Sequence, residues 1–161
     1  MDILSTVADK LKDPTVMEQL GKKAGARPDQ VGKLAQNALP LLLKTMQQNA
    51  STPEGAKSLE KALRDHQDDP VEDVFNFLQG VDIEDGAKIL GHIFSSKKEQ
   101  VQKDLAGKTG LTVEQVVAVL TQLAPLVLGA LGNEKKKKEK EKSSAGDLGD
   151  LLGGLLGSLL K

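Results

Sequence analysis

At 161 residues and a formal net charge of −1, the chain has room for one domain of ordinary size, able to remove roughly 70% of its unfolded surface from water. It has no Cys, Trp or Tyr and three aromatics, Phe75, Phe77 and Phe94, which excludes disulfides, thiolate catalysis and thiolate zinc sites. The core must come from Leu, Val, Ile and Ala, and that favours packed helices over a β sandwich.

Helix signals run from the start. Ile3, Leu4, Val7, Ala8 and Leu11 recur at helical spacing among Asp9, Lys10 and Lys12, predicting an amphipathic helix over residues 2–12. With Asp2 after Met1 there is no basic segment leading an apolar one, so no secretory signal is read and a cytoplasmic protein is expected. Asp13 caps a second helix with Pro14 at its first position and Gly25 placed to end it in a left-handed turn. Pro28 opens a third helix that runs to about residue 49. Thr52-Pro53-Glu54 starts a fourth over residues 53–66, with Ala56, Leu59, Ala62 and Leu63 on one face.

Asp69 is then expected to cap a helix beginning at Pro70, with Val71, Val74, Phe75 and Leu78 as its stripe and Gly80 as its end. A helix over residues 86–94 carries Ile89, Leu90, Ile93 and Phe94. Ser96 with Glu99 reads as a capping box for the helix that ends near Gly110, and Thr112 with Gln115 as another for the last long helix. Residues 116–131 are apolar on every side apart from Thr121 and Gln122, which marks the central buried helix. That run is shorter than the roughly 20 apolar residues a bilayer requires. The helix over 28–49 carries Lys33, Gln36, Asn37 and Lys44 and should lie at the surface.

The chain repeats itself. Shifted by 85 positions, residues 17–49 fall on 102–134 without a gap and with eight identities in 33 pairs: Leu20/Leu105, Lys23/Lys108, Gly25/Gly110, Gln30/Gln115, Val31/Val116, Pro40/Pro125, Leu41/Leu126 and Leu43/Leu128. Unrelated segments would share about two. Ile3, Leu4, Val7 and Ala8 match Ile89, Leu90, Ile93 and Phe94 at offset 86, so the duplication takes in the first helix as well. Pro40 and Pro125 each remove a backbone donor, from the carbonyls of Gln36 and Thr121, so a kink or break is expected in both long helices. The expectation is an all-α, single multihelical domain over residues 1–132. It contains two copies of a helix-helix-kinked helix unit joined by a two-helix insert.

Beyond it lie a charged linker, 133–146, and a flexible Leu/Gly-rich tail, 147–161. Residues 65–87 hold eight acids and no Lys or Arg, whereas 134–142 hold six Lys and three Glu. The bland reading is a solvated acidic face and a solubilising linker. The lysines are interleaved with acids and lack aromatic neighbours, so nucleic-acid binding is not expected. In the tail, Leu148, Leu151, Leu152, Leu155, Leu156, Leu159 and Leu160 fall within half of a helical wheel, with Asp147, Asp150 and Ser158 in the other half. Gly149, Gly153, Gly154 and Gly157 each cost about 1 kcal/mol against Ala. A helix there should form only when its leucines are covered by the core, another copy, a partner or a membrane surface.

Candidates for chemistry are few. His92 lies about 60° around the helix from Ile89, between the apolar stripe and Lys88, where a histidine usually packs its ring and bonds a helix end. A general base or ligand is the sharper alternative. His66 sits in Asp65-His66-Gln67-Asp68-Asp69, with Glu72 and Asp73 beyond, and could join oxygen ligands around a divalent ion, although the spacing matches no known loop. No nucleophile elbow, phosphate-binding glycine loop or HExxH arrangement is present. No catalytic, metal-binding or cofactor-binding residue is assigned, and an enzyme is not expected.

Leu39-Pro40-Leu41-Leu42, Pro53-Glu54-Gly55-Ala56 with Ser58, Leu59 and His66, the string Asp85-Gly86-Ala87-Lys88-Ile89-Leu90-Gly91-His92-Ile93-Phe94, and Leu123-Ala124-Pro125-Leu126-Val127-Leu128-Gly129-Ala130-Leu131-Gly132 together carry a family likeness. Over roughly residues 1–132 the chain resembles the bacterial family known as domain of unknown function 937, related to the YidB-like proteins. The resemblance implies an all-α fold with a duplicated helical unit and brings no established activity. Members typically have a glycine after that Phe, where this chain has Ser95, and many end in Gly-Leu-rich tails. The favoured function is a non-catalytic interaction or scaffolding protein with an unknown protein partner or self-association. The alternative is a peripheral membrane or self-assembly module acting through the tail, and a metal-dependent enzyme using His66 or His92 is a distant third.

Overall fold

The computed structural model describes residues 3–141, and within them the chain is all-helical. The tail leucines, Leu148 to Leu160, lie outside the described residues. Helix α1 is Ile3–Lys10, and its first amide, Ile3 N, donates to the Glu134 carboxylate at 2.8 Å. Glu134 is buried, so the first described residue is tied to α8 under cover. Helix α2, Pro14–Ala24, starts as its residues dictate: Asp13 accepts from Thr15 N at 2.9 Å, and Gly25 closes the helix at φ 69°. Helices α3, Pro28–Asn49, and α4, Pro53–His66, both begin on proline, and Thr52 caps the second by accepting from Gly55 N at 3.1 Å.

The next stretch departs from expectation. No helix begins at Pro70; α5 is Val74–Gln79, capped by Asp73, which accepts from Asn76 N at 3.2 Å. The cause is tertiary. Val71 is fully buried, and a Cβ on Gly129 would stand 2.5 Å from its Cγ1 methyl, so that methyl fills the notch the glycine leaves. Asp69 is meanwhile engaged with His66 rather than with an amide of the next turn. Helix α6, Ile83–Phe94, begins three residues ahead of Gly86 because Asp82 caps it, accepting from Asp85 N at 3.2 Å.

The Ser96–Glu99 capping box does not form. Ser95–Lys97 is a 3-10 turn, and α7, Lys98–Thr109, follows with no side-chain cap. By contrast Thr112 and Gln115 make the expected reciprocal pair, at 3.1 and 2.9 Å, ahead of α8, Val113–Glu141. Helix α8 runs through nine residues, 133–141, that the sequence reading assigned to the linker. Lys and Glu are good helix formers and add i,i+4 pairs, so nothing in that stretch stops the helix.

Neither Pro40 nor Pro125 breaks its helix. At Pro125 the relief is visible. The Thr121 carbonyl, which Pro125 cannot bond, is approached by Gly86 of α6 so closely that a Cβ there would sit 1.9 Å from the oxygen. A glycine hydrogen takes that place, a Cα–H···O contact worth perhaps 0.5–1 kcal/mol.

Helix α8 is the centre of the molecule and packs against each of the other seven α-helices. It is buried without interruption from Val119 to Gly132. Its polar pair is buried too: Thr121 Oγ1 and Gln122 Nε2 donate to Ala118 O at 3.1 and 2.9 Å, within their own helix. The apolar stretch Val113–Lys137 is 25 residues, longer than the sequence reading allowed and enough to cross a bilayer by length and composition. Here 83% of its most apolar window is covered by the other helices, as in the core helix of a globular domain. Helix α3 shows solvent Lys33, Gln36, Asn37 and Lys44 while burying Val31, Leu34, Ala38, Leu42, Leu43 and Met46.

Candidate functional site

The C-terminal end of α3, the exposed side of α4 and the length of α6 enclose a cleft of about 680 Å³. Its floor is apolar: Met46, Leu59, Ile89, Ile93 and, from α8, Leu128. Its rim is polar and mixed in charge, with Lys61, Asp65, Asp85 and Lys88. Close backbone approach shapes one wall, since a Cβ on Gly55 would stand 1.8 Å from Asn49 O. The start of α4 therefore lies directly against the end of α3.

Both histidines singled out from the sequence line this cleft, although 26 positions separate them. His66 is mostly buried, with its Nδ1 2.7 Å from Asp69 Oδ2 and its Nε2 3.5 Å from Asp85 Oδ2. A carboxylate can only accept, so Nδ1 carries the hydrogen shared with Asp69, a tautomer assigned from the network. The ring thus ties the end of α4 to the first turn of α6. It is a clamp between helices. Asn133 Nδ2 donates to Asp69 O at 3.1 Å, so α8 holds the same turn from behind.

Of the acids gathered around His66 in the sequence, only Asp69 meets it. Asp68 goes instead to Lys136, so the acidic and basic poles meet at that point. Asp85, the second partner, comes from another helix, and no spacing near His66 could have shown it. Among the described residues no group of three His, Asp or Glu side chains is arranged to hold a metal ion.

His92 is exposed at the cleft mouth, one turn from Lys88. Beside it stands the one non-glycine residue with positive φ among the described residues, Ser95 at φ 49°, ψ −126°. A side chain is strained there, and glycine would not be. Asn49 Nδ2 reaches across from α3 to the Ile93 carbonyl at 2.9 Å and satisfies the last turn of α6 beside that strained residue. Asn49 and Ser95 were not candidates in the sequence reading. The Ser95 position had a signal, the expected glycine after Phe94, while Asn49 had none.

Comparison with curated proteins and with solved structures finds no match. Residues 8–134 match the family described as bacterial proteins of unknown function, DUF937, a span that includes every residue lining the cleft, and the chain belongs to that family.

Proposed function

We propose that this is a cytoplasmic, non-catalytic interaction protein built on a duplicated helical unit, and that the cleft between α3, α4 and α6 is its recognition site. The observation that carries the reading is the cleft itself: a cavity of about 680 Å³ with apolar side chains at its base and charged and polar side chains at its rim. That is the usual make-up of a binding pocket, in which apolar surface supplies affinity and a few polar groups supply orientation. The strained Ser95 at its edge supports it, because strain of this kind collects at binding sites. His66 contributes rigidity, since both ring nitrogens face carboxylates and the imidazole fixes one wall against another.

Reciprocal contacts support the duplicated unit. Gly25 and Gly110, equivalent in the two copies, end their helices at φ 69° and 77°. Gln115 Nε2 donates to Gly25 O at 2.6 Å, and its counterpart Gln30 donates to Gly110 O at 3.5 Å. Each copy thus caps the other. Helix α2 packs on both α3 and α8, and α7, its counterpart, does the same.

Blocking the cleft tests the reading. Ser58→Trp with His92→Trp places two rings at exposed cleft positions without touching the core. Tagged full-length protein should capture a partner from native lysate that the double variant, melting at the same temperature, does not. An unchanged captured set would refute the cleft as the recognition site.

A further inference from the structure

We propose that His66 and Asp85 are the protein's share of an open site for a divalent transition-metal ion of the zinc type, seated between His66 Nε2 and Asp85 Oδ2.

Spacing is the first argument. Nε2 and Oδ2 face each other at 3.5 Å, beyond the roughly 2.7–3.2 Å of a good N–H···O bond. Two ligands each about 2.1 Å from one tetrahedral ion stand about 3.4 Å apart, so the pair already has the spacing of one edge of a zinc polyhedron. Octahedral magnesium, at roughly 2.0–2.1 Å from its ligands, would need about 2.9 Å. Calcium tolerates a longer edge but takes oxygen ligands rather than imidazole.

The outer partner of the ring is also in place. Asp69 Oδ2 accepts from Nδ1 at 2.7 Å, which leaves the lone pair on Nε2. A carboxylate behind a metal-binding imidazole fixes its tautomer and orientation and raises its basicity. With the ring neutral, Nε2 and the Asp85 carboxylate are two acceptors facing each other. A cation between them turns that opposition into two bonds. Of the charges around the ring, Lys61 and Lys88 offset Asp65 and Asp85, and Asp69 remains in excess.

Both ligands stand on backbone that α8 holds. A Cβ on Gly132 would stand 2.5 Å from Leu63 O and 2.9 Å from Gln67 Cα, so the last turn of α4, which carries His66, lies directly on α8. Gly86, next to Asp85, lies against the Thr121 carbonyl in the same way. Helix α8 therefore sets the spacing of the two ligands before any ion arrives. His66 and Asp85 both line the cleft, and Asp85 is the more open of the two, so an ion reaches the pair from there. The described residues supply two ligands and not three, so the remaining positions go to water or to a donor group of a molecule in the cleft.

The test uses untagged full-length protein stripped of metal by chelation and dialysis. Titration calorimetry with zinc chloride should show one saturable site whose affinity excess magnesium leaves unchanged. In nitrogen-15 spectra of the histidine rings, the His66 Nε2 signal should move with zinc while the His92 signals stay. Asp85→Asn should weaken binding roughly tenfold or more with the metal-free melting temperature in place, and His66→Gln should weaken it at least as much. His92→Gln should leave it unchanged. No saturation at millimolar zinc would overturn the proposal, and so would a His66 signal indifferent to zinc or an affinity that Asp85→Asn leaves intact. Displacement of zinc by magnesium would do the same, since the ion would then sit among surface carboxylates. None of these failures touches the partner capture abolished by Ser58→Trp with His92→Trp, so the two readings fall separately.

Discussion

Helices α3 and α8 carry the same punctuation and end in different places. Each follows a left-handed glycine by three residues, each has Gln and Val in its first turn, and each has a proline followed by leucine at its thirteenth residue. Yet Leu41 is half-buried where its counterpart Leu126 is fully buried, and Pro40 is half-buried where Pro125 is buried. The matched residues set where the helices start, turn and stop. Those between them decide burial: Lys33, Gln36 and Lys44 of α3 stand where α8 has Ala118, Thr121 and Gly129. A lysine forbids a neighbour on its side, whereas Gly129 admits Val71.

The largest effect that would break this comparison is a truncation in matched leucines. Leu126→Ala should cost about 2–5 kcal/mol, because it empties a fully enclosed site. Leu41→Ala should cost roughly half of that or less, since its side chain is already partly in water. Chemical denaturation of the two variants checks the pair, and equal losses would mean that the copies are equally central.

A second contrast sits on α6. Gly86→Ala drives a methyl into the Thr121 carbonyl of α8 and should destabilise by about 1–3 kcal/mol. Gly91→Ala, where an added Cβ meets nothing within 4 Å, should stabilise by roughly 0.5–1 kcal/mol. Thermal melts of the two variants moving in opposite directions would sharpen the account of α8 as the surface against which α6 is fitted. On the same helix Ile89→Ala should cost about 2–5 kcal/mol. His92→Gln should stay within about 0.5 kcal/mol, as an exposed site should.

The smallest effect separates the reciprocal caps. Gln115→Ala removes the 2.6 Å bond to Gly25 O together with the 2.9 Å bond that Gln115 accepts from Thr112 N, and should cost about 0.5–1.5 kcal/mol for each. Gln30→Ala removes a 3.5 Å bond and should be close to neutral. Equal effects would mean that the difference between the two lengths carries no energy.

Much of the helical frame was legible because it rests on local chemistry. Asp13 with Pro14, Thr52 with Pro53 and the Thr112–Gln115 box all cap helices as their residue types require. The failures are tertiary. The start at Pro70 was lost to Val71, whose burial depends on Gly129, far along the chain. The box at Ser96 was lost to the 3-10 turn that begins at Ser95, whose φ is positive at 49°. The two histidines were visible as unusual residues, but their shared cleft was not, since its walls come from α3, α4 and α6 and its floor partly from α8. The second carboxylate facing His66 was hidden for the same reason.

The central claim is that both copies form one core around α8, and it is tested most directly by dividing the chain between α4 and α5. Fragments 1–67 and 68–161 would each hold one copy, the first with α4 and the second with α5. Helix α8 touches all seven other α-helices, so removing α1 to α4 uncovers much of an all-round apolar surface, and removing α8 leaves α1 without its main support and α2 with only α3. Circular dichroism melts of the separate fragments should show weak helicity and no cooperative transition. A cooperative helical melt from either fragment alone would contradict the shared core.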